Sequence, residues 1–469
     1  MSPTLRKRTV DATEGPIFSK MVAFVIPLML TNLIQQLYSM ADSIVVGQFS
    51  GDPNALAAIG STSTFVAFFT ALMTGFAAGT AVVVSRSFGA RDGDSLQRGV
   101  HTSVLFGLFV GLTLSLIAFA TSVPMLNILD TKPELMEKAQ TYIWIICIGM
   151  PAQAVYNFGA AILRSVGDSK TPFRALTLSG ITNVVLNLVL VIVFDMSIRG
   201  VAVATVVSHY LSAVIVILTL VRRKNESYAL DLKKLSIDRG TMVRILRLGV
   251  PAAIQGSLFG ITNFFLIKAL NQFPTPVVSA RTIATNIDVM LSTALNTYLH
   301  VTMTFTGQNY GAQKNDRIKK SLAYALIQVI AIGVLVGQVM ILFYEPLVNM
   351  YLAPDDPNRA EVLVAAKEIM TVMLSSYFIG AINEALSGFL RGLGKSILPM
   401  LVSIGGICVF RLIWINLIYP FIDTTFITKL ALLYFVYPIS WTITALGLAA
   451  MSVYVWKKKI SVKSSVIKE

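Results

Sequence analysis

Twelve long runs of predominantly apolar residues dominate this chain and leave few folds open to it. They lie at about 18–46, 55–82, 97–121, 136–160, 173–194, 198–221, 243–269, 277–306, 319–344, 361–389, 397–420 and 428–456. A helix needs about 20 such residues to cross a bilayer, where every backbone N–H and C=O has to be satisfied within the segment. The runs are too long and too uniformly apolar for the alternating strands of a membrane barrel. Only 13% of the residues are charged and 55% are hydrophobic, whereas soluble domains carry about 25% charge. The expected fold is an all-α polytopic membrane protein with twelve transmembrane helices. The first twenty residues are polar and basic, with no small-residue cleavage pattern, so the first run is expected to stay as a membrane helix.

Charge placement sets the expected orientation. Of the 38 Lys and Arg, 29 fall on the side of the termini and the even-numbered loops, among them Arg6, Lys7, Arg8, Lys20, the 222–247 stretch and Lys457, Lys458, Lys459, Lys463 and Lys468. Eight fall on the opposite side: Lys132, Lys138, Arg199, Lys268, Arg281, Arg359, Lys367 and Lys429. Arg411 lies inside a run. This asymmetry puts both termini in the cytoplasm of a multi-pass protein of the cytoplasmic (plasma) membrane. The net charge of +14 then reflects contact with anionic membrane lipid, and no nucleic acid partner is expected.

The longest polar linker divides the chain into similar halves. Ile26-Pro27 opens the first run and Val250-Pro251 the seventh, 224 residues later. SRSFGA at 85–90 parallels GQNYGA at 307–312, at an offset of 222. LRSVGDSKTP at 163–172 parallels LRGLGKSILP at 390–399, at an offset of 227. The expected organisation is a cytoplasmic segment 1–17, a six-helix lobe 18–221, a cytoplasmic linker 222–242, a second six-helix lobe 243–456 and a basic tail 457–469. Six helices per half make the repeats parallel, with two lobes related by pseudo-two-fold symmetry. Transporters built this way bind substrate near the midplane between the halves and work by rocking one against the other.

Ionisable groups inside the runs are expensive, at roughly 2.5–3.5 kcal/mol or more each near the centre. Asp42, Asp288, Glu384 and Arg411 are such groups. Asp42, preceded by Gln35, Gln36, Tyr38 and Ser39, is the strongest candidate, since ion coupling needs a carboxylate that a proton or a sodium ion neutralises. Asp288 and Glu384 are second-lobe cavity candidates, and Arg411 is a partner for either, or a member of a structural buried pair. Pro27 is a candidate hinge in the first helix, because it removes a backbone hydrogen bond; a static kink is the alternative. Gly-x-x-x-Gly spacings at 75/79, 107/111, 256/260 and 333/337 read as close helix packing. Aromatic faces that can attract an organic cation include Tyr38, Phe65, Phe68, Phe69, Phe259, Phe264 and Phe265.

The run Asp42-Ser-Ile-Val-Val-Gly47 with Ala55-Leu-Ala-Ala-Ile-Gly60, the duplicated Leu-Arg-x-x-Gly at 163–167 and 390–394, and the Gly-Ala pairs at 89–90 and 311–312 resemble the multidrug and toxic compound extrusion (MATE) family over essentially the whole chain. The resemblance implies export of cationic or amphipathic organic compounds against inward proton or sodium flow, by a V-shaped pair of lobes. It implies no cofactor beyond the coupling ion H+ or Na+, and function as a monomer. It makes Asp42 the coupling-ion residue, with Asn157, Asn187 and Thr205 as partners whose oxygens suit sodium or a protonated carboxyl. One position departs: some members carry a second acid one turn beyond the Asn187 position, where this chain has Val191. Other branches place acids in helices seven and ten; the seventh run here offers Gln255, and Glu384 is the repeat counterpart of Asn157.

Two other classes compete. A flippase for a lipid-linked oligosaccharide or other lipid-like substrate should line its cavity with Arg or Lys for an anionic headgroup; the runs here hold three acids and one Arg. An intramembrane enzyme needs a metal-binding His-Glu-x-x-His or a nucleophile and base, and no such pattern occurs. His101, His209 and His300 have no zinc-ligand spacing. Cys147 and Cys408 sit in apolar runs as packing residues, and no phosphate-binding Gly-rich loop is present.

Overall fold

Helices α1 (Ile17–Phe49), α2 (Ala55–Gly89), α3 (Gly93–Ile128), α4 (Pro133–Ser165), α5 (Lys170–Leu188) and α6 (Ser197–Arg222) follow one another through short loops. After the linker come α7 (Arg239–Leu270), α8 (Thr275–Gly311), α9 (Asn315–Leu342), a short α10 (Tyr344–Asn349) and α11 (Arg359–Gly392). Then α12 (Ile397–Ser403) and α13 (Phe410–Ile413) are joined by a π turn, and α14 (Lys429–Tyr434) precedes α15 (Val436–Val466). This computed structural model describes residues 9–466 apart from 53, 271, 353–355 and 423–427, and not the side chains of 260, 261, 263, 264, 268 and 459–466. Arg6, Lys7, Arg8 and Lys468 therefore lie outside the described residues, as do the side chains at Gly260, Phe264, Lys268, Lys459 and Lys463. Ten segments are long and apolar enough to cross a membrane. With α7 and α8, of 32 and 37 residues, they make the twelve expected spans. The described residues contain no strand.

The repeated motifs turn out to be helix stops. At the end of α4, Gly167 is at φ +88°, its N–H bonds Arg164 O at 2.9 Å, and Asp168 N–H bonds Leu163 O at 2.8 Å. Gly394 repeats this at the end of α11, with φ +70° and bonds to Arg391 O at 2.7 Å and from Lys395 N to Leu390 O at 2.9 Å. Both are Schellman caps, in which a left-handed residue lets the chain satisfy the last carbonyls. Arg91 and Gln313, at φ +56° and +59°, close α2 and α8 by the same bond pattern.

Two runs that read as single helices are interrupted. The stretch 397–420 passes through π turns at Ile404–Val409 and Trp414–Ile418, where a side chain on Gly406 would collide with Thr444 of α15. The stretch 428–456 breaks at Phe435, next to the turn where Pro438 lacks the N–H that would bond the Tyr434 carbonyl. α1, by contrast, runs through Pro27 without a break.

The chain divides into two compact units: Met1–Ser257 with Gly307–Asn315, and Leu258–Thr306 with Asp316–Glu469. In the first, α4 packs on α2, α3 and α6, and α5 on α1 and α6. A Cβ on Gly107 or Gly111 would lie 2.7 Å from Phe158 or Pro151, so these glycines let α3 lie against α4. In the second, α11 packs on α15 and α14. Large apolar side chains face outward, Leu116 at 71% and Leu335 at 67% exposure, as suits helices bathed in lipid.

Where the two repeats end, they touch reciprocally. A side chain on Gly89 would collide with the backbone of Gln308, and one on Gly311 with the backbone of Arg86. At the offset of 222, 89 corresponds to 311 and 86 to 308, so the two contacts are one contact made twice. Ser85 and Gly307, themselves repeat-mates, also meet. Arg86 lies 4.4 Å from the ring centre of Tyr310.

At the opposite end, Lys138 of α4 grips Asp52 in the α1–α2 loop, at 2.7 Å to Oδ1 and 2.6 Å to Oδ2. This bond holds the Asp52 carboxyl below its ordinary range. Lys138→Met is expected to cost under about 1 kcal/mol, since the pair is only partly buried. A depressed folded-state value contributes stability above the unfolded value near 3.9 and loses it as pH falls further. Thermal unfolding of wild type and variant should therefore differ slightly at pH 7 and draw together as pH falls below about 3.9.

Candidate functional site

Three helices of the first unit bring a small polar cluster together inside apolar surroundings. α1 supplies Asp42, α5 supplies Asn183 and Asn187, and α6 supplies Thr205. The two asparagines are four residues apart and so share a helix face. Asn187 Nδ2 donates to Asp42 Oδ1 and to Asn183 Oδ1 at 3.3 Å. Asn183 Nδ2 donates to Thr205 Oγ1 at 3.4 Å, and that hydroxyl donates to Val201 O at 2.9 Å. Asn183 and Thr205 also lie close to the Asp42 carboxyl. Asn183 and Asn187 are 1% and 0% exposed; Asp42 and Thr205 are half-buried.

No Lys or Arg forms an ion pair with Asp42 among the described residues. Asn187 Oδ1, fully buried, has no hydrogen-bond partner. An unpaired charge and an unmet acceptor in an apolar bundle are both costly. A proton on Asp42, or a hard monovalent cation beside it, relieves both. Carboxylate, amide and hydroxyl oxygens suit such a cation.

An apolar layer closes the cluster towards the α1–α2 loop. Val45, Val46, Ala55, Ala58, Tyr142, Ile146, Val191, Ile198, Val201 and Ala202 pack together there. Val191 sits in the π turn that ends α5, so the position where a second acid was weighed belongs to this layer. Asn157, half-buried on α4, makes no hydrogen bond to Asp42. Asn183 escaped the sequence reading, although its four-residue spacing from Asn187 in an apolar run was the available signal.

The second unit holds a different network. Asp288 of α8 is 9% exposed and lies beside Tyr377 of α11, with its Oδ1 buried and without a hydrogen-bond partner. Tyr377 packs on Trp441 at 5.1 Å between ring centres, and Trp441 on Tyr437 at 5.4 Å. Arg411 lies over Tyr437 at 4.4 Å and its Nε donates to Ser440 Oγ at 3.3 Å. Among the described residues, the ion pairs found do not join it to Asp288 or Glu384. Glu384 is half-buried on α11, with Arg391, two turns along, as its charged neighbour; Arg391, counted with the loops in the sequence, is 5% exposed. Gln255, buried on α7, belongs to the first unit. Tyr377 carried no sequence signal, being one aromatic among many. Phe65 and Phe69 are buried and 4.9 Å apart, not facing lipid, while Phe265 is exposed. Among the described residues no group of three His, Cys, Asp or Glu is placed to hold a metal.

The MatE family model matches residues 27–189 and 251–416, one block in each half. The chain is 25% identical to the probable multidrug resistance protein YoeA of Bacillus subtilis strain 168, over 96% of each chain. It is also 25% identical to the probable multidrug resistance protein NorM of Thermotoga maritima, over 88% of each. A solved outward-facing structure of a multidrug resistance MATE family transporter of the MOP superfamily matches with a TM-score of 0.85 at 22% identity, covering 96% of this chain and 99% of the other. That likeness bears on the fold.

Proposed function

We propose that this chain, which belongs to the MatE family, is a secondary antiporter that exports cationic or amphipathic organic compounds in exchange for inward-moving protons or sodium ions. The observation that carries this reading is the Asp42 cluster: one uncompensated carboxylate and one unmet amide oxygen, on three helices of an otherwise apolar bundle. Such a group is stable only when neutralised, and neutralisation alters how α1 is tied to α5 and α6. The multidrug resistance names of the relatives favour organic compounds as cargo. In this reading Asp42, Asn183, Asn187 and Thr205 hold the ion, Pro27 lets α1 bend, and Asn157 lines the nearby cavity. Asp288, with Tyr377, is the second lobe's acidic contact for cargo or ion, with Glu384 and Arg411 as further second-lobe candidates and Gln255 a polar candidate on α7. The Lys- and Arg-rich end is cytoplasmic, and the halves 18–221 and 243–456, related by an axis along the membrane normal, rock one against the other.

Purified protein in liposomes loaded with ethidium tests it. An imposed proton gradient, then a sodium gradient, should drive ethidium movement, and the effective gradient names the ion. No gradient-driven movement by well-folded wild type would overturn the reading and leave the lipid flippase in its place.

A further inference from the structure

Residues 9–16, which read in the sequence as a polar tail, are laid across the ends of three helices. Val10 N–H bonds Gly167 O at 2.9 Å, at the cap of α4. Ala12 is gripped on both sides of its peptide: its N–H donates to Gln308 Oε1 at 2.8 Å and its C=O accepts from Asn309 Nδ2 at 3.1 Å. Lys314 Nζ donates to Thr13 O at 2.9 Å, and Arg91 pairs with Glu14 at 2.5 Å. Ala12 is 0% and Thr13 5% exposed. The other end of the Gln308 side chain donates Nε2 to Ser165 O at 2.7 Å, so one buried amide holds the strap and the end of α4 together.

The strap's partners divide between two parts of the chain. Gly167 and Arg91 belong to the α4 and α2 stops, whereas Gln308, Asn309 and Lys314 belong to the end of α8. That helix is continuous from Thr275 to Gly311, yet 275–306 cluster with the second unit and only 307–315 with the first. The strap thus adds bonds to the reciprocal contact between the α2 and α8 ends. Those bonds go through backbone groups and long polar side chains, which water can replace one by one when they part.

We propose that residues 10–14 form a latch that fastens the end of α8 to the ends of α2 and α4 and is released and remade in every transport cycle. The latch rests on the alternating-access reading given above, in which the Lys- and Arg-rich end has to open to admit cargo. While it is closed, the strap's backbone is the partner of Gln308 Oε1 and Asn309 Nδ2; when the end opens, the end of α8 parts from the strap together with the α2–α8 contact. Its occupant is the chain's own backbone around Ala12, a position where a side chain much larger than methyl has no room.

Two measurements test the latch in the full-length protein. In the first, Thr13→Cys/Lys314→Cys, placed where Lys314 Nζ bonds Thr13 O and so tying the strap to the end of α8, is joined by a bis-maleimide after reconstitution. Export should stop on cross-linking, while each single-cysteine variant treated alike keeps exporting. Undiminished export by the cross-linked protein would overturn the latch. In the second, Ala12→Cys is exposed to a membrane-impermeant maleimide; the wild type, whose Cys147 and Cys408 are buried, supplies the blank. Labelling should be slow at rest, and about tenfold faster during turnover or when Gln308→Ala removes one bond of the grip. Labelling at one rate in all three conditions would overturn it. Wild type that moves no ethidium under either gradient signals failure of the transport reading instead, and is scored before either variant.

Discussion

Asp42→Asn should leave a folded protein whose export no longer follows either gradient. The substitution keeps the shape of the side chain and an acceptor for Asn187. It also adds an amide N–H₂, which can serve the Asn187 oxygen that now has no partner. Stability should therefore change by no more than about 1 kcal/mol, visible as a nearly unchanged unfolding temperature in detergent. Coupling is another matter, because an amide cannot alternate between a charged and a neutral form. In wild type, one pH unit of gradient is worth about 1.4 kcal/mol, so a one-for-one exchange can sustain roughly a tenfold accumulation. In the variant that accumulation should fall to the passive level. Full accumulation by Asp42→Asn would move the coupling group to Asp288 or Glu384, and the matching amide substitutions would then find it.

The second large effect is steric. Gly89→Val places a branched side chain where the backbone of Gln308 already lies, and a backbone atom cannot swing aside as a side chain can. Overpacking of this kind costs about 3 kcal/mol. Gly311→Val, its repeat-mate, should cost a similar amount, because it meets Arg86 in the equivalent way. Gly93→Ala is the control, since a Cβ there meets nothing within 4 Å. Equal unfolding temperatures for Gly89→Val and Gly93→Ala would argue against a close meeting of the α2 and α8 ends.

Much of this architecture was written in the sequence because the bilayer imposes one rule on every segment. A stretch that cannot reach water must be apolar and helical, so the twelve spans announce themselves by length alone. The repeats at 85–90 and 307–312, and at 163–172 and 390–399, were legible as likeness. Their physical content, helix stops built on left-handed residues, emerged only with the backbone angles. The breaks at Gly406 and Phe435 were hidden because a π turn or a kink leaves hydropathy untouched. The strap was hidden for a different reason: the side chains that hold Ala12 come from nearly three hundred residues away, and nothing local marks residues 9–16 as ordered. Within the site, Asp42 stood out as a charged group in an apolar run, and Asn187 came with the family resemblance. Asn183 required reading the period of α5, and the network of Tyr377, Trp441 and Tyr437 required the fold.

The apolar layer around Val45, Val191 and Ile198 has an electrical side. A dry, low-dielectric layer is where much of a transmembrane voltage drops, and the Asp42 carboxylate lies just beneath one. A charge that crosses the whole field gains or loses about 2.3 kcal/mol per 100 mV; a charge reaching Asp42 through this layer crosses part of it. Membrane potential is then a handle on the occupancy of Asp42 separate from the concentration of the ion. In the proposed reading, a resting cell, negative inside, would load the carboxylate from outside by voltage even where the two solutions hold the ion equally.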